Sequence, residues 1–332
     1  MKKIHLLILV ICIAVTSNVS AQYKWDYGVK IGASNYLGDI GGKYLPRRDF
    51  VVDMHLISTR FAAGAYGRYK FNKRLAVAGN LDWIRITDRD AYTTYAPRRA
   101  RNANFRNDLI ELGARAELTI WYDNDVGNKG YYNPDFKLFA FAGLAGYYSN
   151  PKGQIFSNGE LQYDGQWFAL RPWRTEGQEK SYSKFGVAVP AGLGCYFTFD
   201  KKWRFQWDLS WRTVFTDYLD DVSTVFNAPN PEDPADYQTA LSFVNQAYPE
   251  LIEGLVTDNP QYTAADLAIE NFTYVSNPNA PLSPRGDATH NDSYLTTQLT
   301  ITRVIRGKSS FYKAKYSYLK NKAGVRRARA KF

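Results

Sequence analysis

Cysteine, methionine and histidine are all scarce in this 332-residue sequence, at 2, 2 and 3 copies. Cys12 lies in an apolar N-terminal stretch, which leaves Cys195 alone in the rest of the chain. One thiol makes no internal disulfide, so a disulfide-stapled scaffold is excluded. Beyond the N-terminal stretch the histidines are His55 and His290. The sequence has no HExxH, CxxC or GxSxG motif and no phosphate-binding glycine loop. Zincin, thioredoxin-like, α/β-hydrolase and P-loop chemistries therefore have no footing. No apolar run of about 18 residues follows the N-terminus, and mean hydropathy is negative, which excludes a helical membrane bundle. Acidic residues are missing altogether from Arg303 to Phe332, which holds eleven of the 42 Lys and Arg. The net charge of +10 is thus carried by one end, and the rest of the chain is close to neutral.

What the sequence has in excess is aromatic residues, at 16%. Aromatics with so little Met suit sheets better than helices. Residues 1–21 have the pattern of a secretory signal peptide: Lys2 and Lys3, an apolar run from Leu6 to Val15, and small residues at Val19-Ser20-Ala21. Ile11 before Cys12 is too bulky for a lipoprotein signal, so cleavage before Gln22 is expected.

Period-2 alternation dominates the rest. Trp25, Tyr27, Val29 and Ile31 alternate with Asp26, Gly28, Lys30 and Gly32. The same pattern runs through 60–71, 75–87, 107–122, 185–199, 202–217 and 293–305. Residues 136–148 are also strand-like, but both faces are small and apolar, so their orientation stays open. Eight strands result. The connections alternate between long (35–58, 89–106, 149–183, 218–292) and short (72–74, 123–135, 200–201). In an up-and-down sheet, every long loop then falls at one end.

This is the layout of an all-β, eight-stranded antiparallel up-and-down transmembrane barrel, with long extracellular loops and short periplasmic turns. The expected barrel covers 22–306, in contact with outer-membrane lipid, and 307–332 form a basic periplasmic tail. A soluble sandwich or lipocalin-like barrel also alternates, but with a charged outer face. Here the polar face mixes charges with Gly, Ala and Ser, as a narrow lumen needs. Pro190 sits mid-strand, where a bulge is expected.

The polar rows include the charged residues Asp26, Lys30, Asp82, Glu111, Arg115, Glu117, Asp208 and Arg212. In a narrow barrel they are expected to meet as a lumenal salt-bridge network; a polar conduit or catalytic carboxylate pair is the sharper alternative. His55 with Ser58 is the one nearby His/Ser combination on the long-loop side, the single foothold for an enzyme reading. No catalytic, cofactor or metal site is expected. Asp217, Asp220 and Asp221 lack EF-hand spacing, which favours capping or turn hydrogen bonds over calcium. Leu241, Val244, Ala247 and Leu251 suggest a short helix over 242–255. The Arg285-Gly286-Asp287 tripeptide is treated as coincidental.

The basic tail carries Lys308, Lys313, Lys315, Lys320, Lys322, Arg326, Arg327, Arg329 and Lys331 with interleaved aromatics. An exported compartment offers no regular nucleic-acid target, which leaves a solvated tail or a docking segment for an anionic periplasmic surface.

Several stretches carry a resemblance: ASNYLGDIGG (33–42), RYKFNKRLAVAGNLDWIRITDRD (68–90), LFAFAGLAGYYSNPKG (138–153), LRPWRTEGQ (170–178), VPAGLGCYF (189–197) and WRTVFTDYLDDVST (211–224). Together the chain resembles the PorG-like family of outer-membrane barrels from Bacteroidetes. The marker is Asp217, Tyr218, Leu219, Asp220 and Asp221. The resemblance implies a non-enzymatic component of the type IX secretion system that anchors a periplasmic ring, the PorK and PorN role, to the outer membrane; some relatives serve gliding motility. The insertion at about 225–285 and the basic LRPWRTEGQ segment depart from the family pattern and admit a paralogue with another partner. Two other functions remain open: a surface receptor or adhesin acting through the loops, and an outer-membrane lipid-modifying enzyme.

Overall fold

The computed structural model describes residues 24–42, 54–123, 135–199, 202–244, 246–264, 266–267 and 285–305. The expected signal peptide and the basic tail lie outside the described residues. Eight long strands run in chain order: β1 (Trp25–Leu37), β2 (Arg60–Lys70), β3 (Leu75–Arg89), β4 (Asn104–Asp123), β5 (Asp135–Tyr148), β6 (Phe185–Phe199), β7 (Trp203–Val214) and β8 (Ser293–Ile305). Each pairs antiparallel with the next, and β8 pairs with β1 from Trp25↔Ile305 to Leu37↔Ser293. The eight long strands form a closed ring, and the short strand Lys152–Gly153 adds to the long-loop end of β4.

Alternation decides the faces. Val29, Ile31, Leu81, Leu112, Leu144, Leu193 and Leu299 point out and are exposed, while Asp26, Lys30, Asp82, Glu111 and Asp208 are buried inside. The barrel is apolar outside and polar inside, the inverse of a water-soluble one. Aromatic pairs mark two levels on the outer surface. At the short-turn end are Trp25–Tyr69 (ring centroids 4.8 Å), Tyr69–Phe71 (5.1 Å) and Phe136–Phe197 (4.8 Å). At the long-loop end are Phe61–Trp83 (6.2 Å) and Tyr148–Phe185 (5.5 Å). Tyr69 and Phe61 lie eight residues apart on β2, about 20 Å along the barrel axis at about 3.3 Å per residue and roughly 40° tilt.

The turn between β2 and β3 is held locally. Asn72 Oδ1 accepts from the backbone N–H of Arg74 (2.9 Å) and Leu75 (2.7 Å), which fixes a tight reversal. The open orientation of 136–148 is settled: Phe139, Phe141, Ala145 and Tyr147 are buried in the interior, and Leu144 is 65% exposed outside. Interior glycines make this possible, because a Cβ on Gly194 would lie 2.6 Å from the Phe139 ring.

Four expectations need correction. No bulge occurs at Pro190, since β5–β6 register is the same on both sides of it; the proline forgoes its ladder bond and pairs with Arg212 on β7. The register shift is instead in β4, between Thr119 and Trp121. Strands β1, β3 and β4 extend further into the long-loop end than their apolar rows suggested, whereas β7 stops at Val214 rather than reaching Asp217. The expected single helix is two, α2 (Tyr237–Val244) and α3 (Pro249–Asp258), after the short α1 (Ala96–Arg101). Pro249 begins α3, and the residue before a proline is disfavoured from helix, so one helix does not run through.

Leu112 is 68% exposed and sits mid-strand opposite Leu81. Leu112→Arg should cost about 2–4 kcal/mol of stability in lipid. Urea unfolding in liposomes should show the loss; an unchanged midpoint would mean that this row does not face lipid.

Candidate functional site: the lumen and the loop cap

The interior rows bring the eight charged residues into two ion-paired groups. Near the short-turn end, Arg68 bridges Asp26 (2.8 Å) and Glu117 (3.1 Å). Glu117 also meets Arg115 (3.1 Å), and Arg115 meets Asp208 (3.2 Å). Nearer the long loops, Lys30 pairs with Asp82 (2.6 Å), and Arg212 bridges Asp82 (3.7 Å) and Glu111 (2.8 Å). Tyr66 donates to Glu117 (2.7 Å) and Tyr294 to Glu111 (2.6 Å).

Sequence reasoning left out several partners. Arg68, Lys70 and Arg204 lie on the same inward rows and join the first group; Arg204 contacts Asp26, and Lys70 donates to the Tyr196 hydroxyl at 2.8 Å. Period-2 parity puts all three on the polar face but does not say which carboxylates they meet. The aromatic members were hidden, since Phe141 and Tyr196 sit inside and face guanidinium groups, Arg115 at 4.0 Å and Arg68 at 4.4 Å. The carboxylates are each bound to cations or hydroxyls, which suits neutralisation and a filled lumen rather than a general acid–base pair.

At the short-turn mouth a pocket is lined by Arg68, Lys70, Lys73, Arg74, Lys137 and Glu117. Among the described residues, Lys73 and Arg74 have no carboxylate at bridging distance.

Above the lumen, the long loops close into a cap with its own apolar core, including Tyr36, Ile40, Phe105, Leu109, Leu170, Leu219, Val222 and Phe243. The Asp217–Asp221 segment is its hub. Asp220 accepts from the Ile40 N–H of the first loop (3.0 Å). Asp221 accepts from the hydroxyls of Thr175 (2.6 Å) and Tyr182 (2.8 Å) of the third. Leu219 donates its N–H to Asp292 (2.9 Å) and accepts from the Asn107 amide (2.8 Å) on β4. The Tyr218 ring stacks on Tyr182 at 4.9 Å, and Asp217 is buried. The second loop joins through Arg101, which binds Asp90 (2.7 Å) and the Asp39 carbonyl (2.8 Å). The carboxyls of Asp220 and Asp221 are thus built into turn and loop contacts. Among the described residues, no cluster of three or more His, Cys, Asp or Glu suits a metal ion.

Two further sequence features find their places. Ser58 donates its hydroxyl to Asp88 (2.7 Å), and His55 Nδ1 is buried beside the Tyr92 ring (6.5 Å). Arg285 of the Arg-Gly-Asp tripeptide is buried and donates to Thr175 (2.8 Å), Glu176 (3.1 Å) and the Asp221 carbonyl (2.7 Å). The tripeptide is therefore structural and is not presented as a unit to a receptor.

A closed inside-out barrel of eight strands is the fold of an integral membrane protein of the outer membrane. The family model described as "Outer membrane protein beta-barrel domain" matches residues 5–240. The chain belongs to that family. Among solved structures it is similar to Ail, the attachment invasion locus protein of Yersinia pestis. The crystal structure of Ail with the heparin analogue sucrose octasulfate has 9% identity and a TM-score of 0.29, over 85% of this chain and 98% of that one. A second Ail crystal structure has 8% identity and a TM-score of 0.28, over 85% and 99%. No curated protein matches the chain.

Arg68→Met would strand Asp26 and Glu117 without their shared partner. The expected cost is about 3–5 kcal/mol, read as a lower urea midpoint in liposomes. Adding Glu117→Gln, which restores the charge balance and leaves Arg115 its partner Asp208, should recover part of it, and no recovery would refute charge neutralisation as the reason for the network.

Burial and the Asp39 carboxylate raise the Asp220 carboxyl to about 7, and burial raises Asp221 to about 6 against the pull of Arg285. Burial with Asp220 and Asp217 holds Asp292 well above the usual carboxylate range. An unfolded aspartate titrates near pH 4. Between about pH 4 and pH 7 the folded cap therefore binds more protons than the unfolded chain, so its stability falls as pH rises through that window. Hydrogen exchange of the 217–224 amides should be slower at pH 5 than at pH 8 after correction for intrinsic rates. Asp220→Asn should flatten this dependence.

Proposed function

We propose that the chain is a non-enzymatic outer-membrane barrel of PorG-like type that anchors a periplasmic ring complex of the type IX secretion system. The observation that carries this reading is the cationic short-turn end. Lys70, Lys73, Arg74 and Lys137 gather at one mouth of the barrel, and the basic segment after β8 follows from the same end in sequence. With short turns toward the periplasm, as in outer-membrane barrels generally, these charges face any acidic periplasmic partner. The ion-paired lumen and the loop cap fit an anchor better than an open channel. The motif residues would then serve the partner indirectly, by holding the cap and the outer rim.

A second reading, a surface receptor or adhesin, is favoured by the cap: its loops hold a defined apolar core and carry helices α2 and α3. The lipid-modifying enzyme has less support, since the Ser58 hydroxyl is donated to a carboxylate.

Deleting residues 308–332 should leave the barrel heat-modifiable on gels but abolish crosslinked co-purification with periplasmic ring proteins. If ring association and secretion survive, the tail does not dock. Replacing 231–264 with a short Gly/Ser linker should leave ring association intact. A loss of surface binding from that replacement alone would favour the receptor reading.

A further inference from the structure

We infer that the outer rim of the barrel carries a binding site for a phosphate group of an outer-leaflet lipid, centred on Arg106 and Lys152. The site lies on the outside wall, apart from the lumen, and does not depend on the secretion reading.

Arg106 is an outward position of β4, in parity with Asp108, Ile110 and Leu112. Its cross-strand neighbour is Lys152, at the start of the short strand Lys152–Gly153 that extends the sheet beyond β5. Like charges opposite one another on a sheet repel and are destabilising unless something neutralises them. Among the described residues, no carboxylate does so here. The nearby carboxylate, Asp108, is held by Arg85 in a two-point pair at 2.6 and 3.0 Å. Among the described residues, neither Arg106 nor Lys152 has a carboxylate at bridging distance. The Arg106 guanidinium lies over the Trp167 ring at 4.4 Å, and its buried Nε has no hydrogen-bond partner among the described residues. The planar guanidinium is thus held in place by stacking, and its terminal nitrogens make no hydrogen bond among the described residues, the arrangement that suits an anionic oxygen group.

Height along the barrel identifies the anion. The outward row of β3 runs Leu75, Val77, Gly79, Leu81, Trp83 and then Arg85. Leu75 to Arg85 is ten residues, about 25 Å along the axis at about 3.3 Å per residue and roughly 40° tilt, which matches the apolar band of an outer-membrane barrel. Leu75 is level with Leu118 and Arg85 with Asp108, so Arg106 lies one step beyond the end of that band. Phe61 and Trp83 form the aromatic belt at that edge, with Arg85 over the Trp83 ring at 5.3 Å. Lipid surrounds the barrel at this level, and phosphates are the anions found just beyond its hydrocarbon. With the long loops outward, those phosphates belong to the outer leaflet.

The test is native mass spectrometry of the full chain in detergent with three added lipids: bis-phosphorylated lipid A, dephosphorylated lipid A and phosphatidylglycerol. The parent protein should retain bis-phosphorylated lipid A at least tenfold more than the dephosphorylated form. Arg106→Gln with Lys152→Gln should remove that preference, while Lys137→Gln at the opposite end should keep it. Heat-modifiability on gels checks that each variant is folded. Retention of phosphatidylglycerol to the same extent would assign the site to lipid phosphate in general. Equal retention of both lipid A forms, or an undiminished preference in the double variant, would overturn the site.

Discussion

In a bilayer a backbone amide has no water to bond, so each strand needs a neighbour on both sides. Here that requirement is met by eight strands and a β1–β8 seam. Closing so few strands leaves an interior only wide enough for side chains. The interior must then be filled, and filling it with charge is tolerable only if each charge is matched. Arg68 between Asp26 and Glu117, and Arg212 between Asp82 and Glu111, meet that need by sharing partners across the lumen. Replacing such pairs by apolar groups can be neutral or stabilising in other proteins, so their presence speaks to a fixed register and a filled interior more than to extra stability.

The same demand shapes the outer end. Four connections leave the barrel, and each would expose backbone and apolar side chains if it stood alone. They instead share one core and one hub. Asp220 and Asp221, adjacent in sequence, reach different loops: one holds Ile40 and the other Thr175 and Tyr182. Asp221 takes a left-handed backbone (φ 75°), which an aspartate tolerates better than most residues and which turns the two carboxyls apart.

Parity was legible because a strand has only two faces. From Trp25 to Ile31, and again from Ile110 to Leu118, the alternating pattern separated lipid side from lumen side directly. It failed for 136–148, where Phe139 and Phe141 point inward against the polar rule and are accommodated by glycines on β6. Pro190 misled for a related reason, since a lost hydrogen bond does not require an inserted residue. Pairings among the lumen charges were beyond the sequence, because they depend on which strands lie across the barrel from each other. Arg68 with Glu117 joins β2 to β4, and Arg115 with Asp208 joins β4 to β7. The acidic motif was conspicuous as a string, but its role as the meeting point of the loops arises only once the loops are folded over it.

The seam between β1 and β8 has a kinetic side. Trp25 pairs with Ile305, so the ring closes only when the two most distant strands in the sequence meet. Contacts of such separation form late, because the chain between them must first lose its freedom. Tyr36 on β1 donates to Asp292, next to β8, at 2.6 Å, and Asp292 in turn receives Leu219 of the hub. The pairing that closes the wall is therefore also the one that completes the lid. A barrel stalled with its seam open would present a half-built exterior, which gives a surface-directed probe of the hub a means to report, in living cells, whether insertion has finished.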